Sequence, residues 1–195
     1  MTPIDKAHVD NVVRVVLQAS DEERVAGILW YPEYAANIID FGSKHGLSEK
    51  QSLAVFAVLS QRTRIVANWR HYKAVVATRN VTFAIGAFPD VKTKCAAILV
   101  DSTGDPGQYC RGDKIASFYA NLAGDPNRVT VDRHAISAVY NRMIEKVGPA
   151  SAYYYCEKVF QVAAAIVELT PRETQAVAWV VWRRMKGLVD GEIAV

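Results

Sequence analysis

One stretch of the chain reads as a candidate strand: residues 80–88 (NVTFAIGAF), where β-branched and aromatic residues crowd together, while residues 129–131 read only as a short extended entry to a helix. A strand must pair to satisfy its backbone, and no second stretch offers a partner. The segment is therefore expected to be a loop or a closing helical turn. The rest of the patterned sequence has helical spacing. Ile4, Val9, Val12, Val13 and Val16 recur on one face of residues 4–18, behind Pro3 in a first-turn position. A second helix is expected over residues 31–45, stopped by Gly46. Ser48, with Gln51 three residues on, reads as a capping box that opens a helix to about Ser60. Further helices are expected over residues 64–78, from Pro89 to about Asp101, over 114–123, from Asp132 to about Glu145, over 150–168 and over 172–186. Thr170 should cap the last, with Pro171 at its first position. Residues 102–113 (STGDPGQYCRGD) are a connection, 124–127 (GDPN) a turn, and Gly148-Pro149 a break.

No internal repeat, low-complexity tract or Gly/Ser linker interrupts the 195 residues. The expected fold class is all-α: a single domain over residues 1–195, in two helical lobes. One lobe covers about residues 47–135, and the N- and C-terminal helices pack as the other. Apolar residues make up 51% and charged residues 22%, enough to bury a core at this length. Uncharged apolar runs fall well short of the ~20 residues that span a bilayer, so no membrane partner is expected. Asp5, Lys6 and Asp10 interrupt the apolar core that a signal peptide needs. The three cysteines, Cys95, Cys110 and Cys156, are odd in number and form no CxxC pair. That argues against a disulfide framework and a four-cysteine metal site, and for a reducing, cytoplasmic location. Neither a metal nor a cofactor is expected. A net charge of +3 permits nucleic-acid contact without demanding it.

Residues 112–135 are the most informative segment. Lys114 opens one helix and Asp132 opens the next, so two helix starts joined by a tight turn can converge on one cleft. A helix N-terminus disfavours a cation, which would ease deprotonation of Lys114. A neutral lysine is a nucleophile, and a nearby carboxylate can move its proton. Each residue also has a plainer reading: Asp directly before a helix is a good N-cap, and lysine is mostly a solvated surface residue.

With Val131-Asp132-Arg133-His134 and the 18-residue step from Lys114 to Asp132, the segment resembles the core of the helix-hairpin-helix DNA glycosylase superfamily, the endonuclease III-like enzymes. In that family a lysine opens the helix after the hairpin, and an aspartate follows in a Val-Asp-x-His motif. The likeness extends outward in chain order. Leu59-Ser60-Gln61-Arg62-Thr63 with Asn68 is similar to the family's Leu-Ser-x-Gln-x-Thr segment, one residue shorter. Lys94-Cys95-Ala96-Ala97-Ile98 is similar to the helix before the hairpin, and residues 170–179 to the closing helix. The resemblance thus covers roughly residues 47–186. Two departures stand out. The family's Leu-Pro-Gly-Val-Gly hairpin is here Gln108-Tyr109-Cys110-Arg111-Gly112, which keeps only the last glycine. The four-cysteine iron–sulfur ligand set is absent from the sequence. The degenerate hairpin and small size point to a divergent, phage-encoded branch.

The resemblance implies an enzyme that flips a damaged or modified base out of duplex DNA and excises it. Lys114 would attack the sugar C1′, and Asp132 would stabilise positive charge developing on the sugar. Gln61 stands where the family fills the vacated stack; the alternative is a polar cap at a helix end. His134 is a possible accessory residue, though a helical histidine beside a carboxylate is more often structural. Arg62, Arg64, Arg111 and Gly112 are expected to contact DNA. The basic run Arg62, Arg64, Arg70, Lys73 and Arg79 would neutralise phosphates or would simply be a solvated face. Tyr153-Tyr154-Tyr155, Trp69, Trp179 and Trp182 can stack bases but read first as packing. A base-modifying enzyme on the same scaffold and a catalytically inactive DNA- or protein-binding module remain as alternatives.

Overall fold

The computed structural model describes residues 3–146 and 148–187. Among them the chain forms nine α-helices and two short 3-10 turns, with no strand. The helices are α1 (Lys6–Leu17), α2 (Asp21–Lys44), α3 (Glu49–Leu59), α4 (Ile65–Thr78), α5 (Pro89–Leu99), α6 (Asp113–Leu122), α7 (Arg133–Tyr140), α8 (Ala150–Val167) and α9 (Pro171–Met185). The 3-10 turns lie at Val81–Phe83 and Pro106–Tyr109. The all-α expectation therefore holds, and residues 80–88 form a turn and a loop.

Most helix starts follow from local chemistry. Asp5 caps α1, accepting the Ala7 amide. Ser48 and Gln51 complete the expected capping box of α3, and Thr170 and Glu173 make another on α9 behind Pro171. Two boundaries differ from expectation. The helix placed over residues 31–45 begins at Asp21, because Ser20 and Glu23 bond reciprocally as a capping box. It then runs through Pro32, which cannot donate to the Ile28 carbonyl one turn back. Helix α7 ends at Tyr140 and not near Glu145. Asn141 adopts the left-handed conformation there, and its amide and that of Arg142 close onto the Ala138 and Ser137 carbonyls. Ser137 reinforces the stop, donating to the Arg133 carbonyl and accepting the Ile144 amide.

The described chain divides into two compact units. The first comprises residues 3–32 and 124–187. Its core gathers Val12 and Val16 of α1, Val139 of α7, Val159 and Phe160 of α8, and Val177, Val181 and Trp182 of α9. The Tyr153 hydroxyl donates to the Val129 carbonyl and accepts the Val131 amide, pinning the extended stretch that leads into α7. Glu157 is buried beneath the same stretch, accepting the Val129 amide and pairing with Arg128. Tyr31 bonds Gln175, joining α2 to α9. Gly27 allows these two helices to approach closely: a Cβ there would lie 2.6 Å from the Val177 Cα.

The second unit comprises residues 33–123. Its centre is α3, buried from Ser52 through Leu59 and therefore apolar around nearly its whole circumference. Helices α4, α5 and α6 and the Pro106–Tyr109 turn pack around it. Tyr72 of α4 donates to the Ile38 carbonyl, stacks on Trp69 and meets Phe56 edge-on. Asn68 donates to the Phe56 carbonyl from a fully buried position.

Candidate nucleic-acid interface

Between Gln51 and Pro89 the chain holds five basic residues and no Asp or Glu. All five, Arg62, Arg64, Arg70, Lys73 and Arg79, are exposed and make no ion pair among the described residues. Unopposed charge of one sign sets up a field that attracts polyanions. Arg62 sits in the left-handed region at φ +55° in the turn between α3 and α4. A non-glycine residue pays on the order of 1 kcal/mol for that conformation. Arg62 lies with its guanidinium 5.3 Å from the centre of the Phe88 ring, and Lys73 with its ammonium 5.6 Å from that of Trp69. Arg64 precedes the first turn of α4. Gln61 is half-buried, and its carbonyl accepts the Thr63 hydroxyl.

Arg79 differs from the others in the run. It ends α4 in the left-handed conformation, and its guanidinium donates to the His45 carbonyl at 2.6 Å and the Leu99 carbonyl at 3.2 Å. Its donors tie the end of α4 to the ends of α2 and α5, so part of this exposed guanidinium is engaged within the fold. It also lines a shallow depression with Asn80, Val81, Ala96, Leu99 and Val100, which carries no nucleophile or acid. One segment was read from the sequence as a loop or turn but not as a contact surface. Phe83, Ile85 and Phe88, in the loop after α4, are exposed, and Phe88 lies against Arg62. Their crowding was visible in the sequence, but it reads equally as a buried strand.

Lys114 lies in the first turn of α6, half-buried, and its ammonium has no hydrogen-bonded or ion-paired partner among the described residues. Gly112 caps α6 at φ +91°, a conformation open to glycine. Arg111 is exposed, its Nε donating to the Gln108 carbonyl. Lys114, Arg111, Gly112 and the basic segment all belong to the second unit.

Asp132 belongs to the first unit. It caps α7: Oδ1 accepts the amides of His134 at 2.9 Å and Ala135 at 2.8 Å. Oδ2 has no hydrogen-bond partner among the described residues. His134 is half-buried, accepts from Arg133 Nε and meets Trp179 edge-on. The tyrosine triplet divides its roles. Tyr153 is core, Tyr154 is exposed, and Tyr155 bonds His8 Nδ1 at 2.7 Å. Trp182 is core, while Trp179 is half-buried beneath the Arg183 guanidinium, 4.2 Å from its ring centre. Burial pushes the Cys95, Cys110 and Cys156 thiols up to about 12, so none supplies a thiolate at neutral pH. No group of three metal-ligating side chains occurs among the described residues, and no described helix is long and apolar enough to cross a membrane.

Residues 3–186 match a family of unknown function (DUF7178), and the chain belongs to that family. No curated protein and no solved structure matches the chain.

Proposed function

We propose that this protein binds DNA through the basic surface of its second unit and carries out base-excision-type chemistry, with the Lys114 amine as nucleophile. The observation that most supports the reading is the segment from residue 51 to 89, basic, free of acids and exposing Arg62, Arg64, Arg70 and Lys73. Cations set along a surface gain affinity by releasing the counterions condensed on DNA. Lys114 adds an amine that no carboxylate among the described residues ties up.

The chemistry follows from the likeness to the glycosylases. The Lys114 amine attacks C1′ of a flipped nucleotide, the C1′–N bond breaks, and the base departs with a proton that the amine gives up. The C1′–O4′ bond then breaks, O4′ takes up a proton, and the opened sugar is left as a Schiff base on Lys114. Asp132 enters this reading through the likeness alone, which gives the matching aspartate the stabilisation of positive charge on the sugar. A second reading is a DNA-binding module without chemistry, favoured by the complete helix-capping role that Asp132 already fills.

Borohydride trapping tests the chemistry. The protein is mixed with duplexes bearing an abasic site, uracil, an oxidised pyrimidine or a hydroxymethylated pyrimidine, with Lys114→Ala as control. A covalent complex lost in the variant is the expected result. Salt-sensitive binding without trapping would leave the binding module, a water-using glycosylase or a base-modifying relative.

A further inference from the structure

We infer that the loop of residues 83–88 is a stacking platform for unpaired bases, and that the protein prefers single-stranded DNA over fully paired duplex. The inference rests on the DNA reading above and adds the strand state of the substrate. Within six residues, Phe83 is 47%, Ile85 76% and Phe88 40% exposed. Single exposed apolar residues are ordinary on a protein surface, but three large ones in one short loop mark a contact site.

The loop is held in shape. The Asn80 carboxamide oxygen accepts the Thr82 amide at 2.9 Å and its hydroxyl at 2.7 Å, fixing the 3-10 turn. Ala84 is fully buried and anchors the middle of the loop. The Ile85 and Ala87 amides bond the Phe83 and Ala84 carbonyls, and Gly86 turns the chain at φ +79°. The turn packs on α4 and α5. Phe83, Ile85 and Phe88 are thus presented on an ordered backbone.

The charge around the loop selects the occupant. It closes the acid-free segment, and the Arg62 guanidinium lies against the Phe88 ring. A cationic setting of this kind draws a polyanion. In a duplex the base faces are covered by their neighbours, and only edges and backbone meet a protein. Aromatic rings beside cations are covered well by the flat faces of unstacked bases, whose phosphates meet the arginines.

The test compares fluorescence anisotropy on a labelled single-stranded oligonucleotide, the matching duplex, and the same duplex with an internal unpaired bubble. The wild type should bind single strand and bubble more tightly than duplex. Phe83→Ala with Phe88→Ala should weaken single-strand binding on the order of ten-fold, the effect of losing a base–aromatic stack, and leave duplex binding nearly unchanged. Phe83→Tyr with Phe88→Tyr, which keeps the rings, should retain the preference and controls for folding. Equal affinity for duplex and single strand, or alanine variants that bind single strand as the wild type does, would overturn the inference and leave DNA binding standing. Failure to bind any of the three DNAs would overturn the DNA reading as well. Binding to phosphatidylserine vesicles that depends on Phe83 and Phe88, with single strands ignored, would assign the loop to a membrane surface and also refute the inference.

Discussion

Asp132 can be separated into a structural oxygen and an open one. Oδ1 holds the first turn of α7 through two amides, while Oδ2 remains available. Asn at an N-cap accepts the same amides as Asp, whereas Ala accepts none. Asp132→Ala should therefore lose about 0.5–2 kcal/mol of stability by chemical denaturation. Asp132→Asn should unfold close to the wild type while losing any charge-dependent chemistry, so trapping by this variant at wild-type rates would confine Asp132 to capping. His71 supplies a pH prediction. Burial, and secondarily the neighbouring Arg70 charge, lowers its pKa below the ordinary 6.5. The unfolded chain then takes up a proton before the folded one does. The contribution is complete above about pH 6.5 and is lost as the pH falls through the lowered folded value. The urea midpoint should fall on acidification from pH 7.5 to 5.5, and His71→Gln should fall less; equal falls would place the titration elsewhere. Arg79 shows why residue roles were only partly legible. Its charge was plain in the sequence, but the His45 and Leu99 carbonyls that hold it come together only in the fold.

At the scale of helices, legibility tracked capping chemistry. Ser48 with Gln51 and Thr170 with Pro171 and Glu173 encode their own starts, because the partners lie three residues apart. Helix α2 starts ten residues before the expected position and runs through Pro32, although a mid-helix proline normally costs about 3 kcal/mol. Here the Ser20–Glu23 box and tertiary anchors such as Tyr31 to Gln175 offset the lost bond. The early end of α7 was hidden for a related reason: Asn141 closes the helix in a conformation that many helical asparagines never adopt. Gly27 gives the sharpest prediction here. Alanine is the better helix former by about 1 kcal/mol, yet its Cβ would press on the Val177 backbone. Overpacking should prevail, and Gly27→Ala should destabilise by about 1–3 kcal/mol in a denaturant titration. A stabilised variant would show that α2 and α9 separate readily at this crossing.

For the molecule as a whole, apolar periodicity made the all-α class readable, while the division into units was less so. The second unit ends at Ala123, so Lys114 and Asp132 fall in different units although one short segment carries both. Sequence spacing places residues along the chain and does not reveal where contacts become sparse. The central claim is that the exposed arginines of the acid-free segment 51–89 bind DNA, and salt dependence tests it most directly. Labelled DNA would be titrated across a salt series with the wild type and with the combined Arg62→Ala, Arg64→Ala and Arg70→Ala variant. The wild-type affinity should fall linearly on logarithmic axes, and the variant should bind more weakly with a slope shallower by about two to three, one phosphate contact per arginine. No binding at low salt, or a variant with the wild-type slope, would contradict the account.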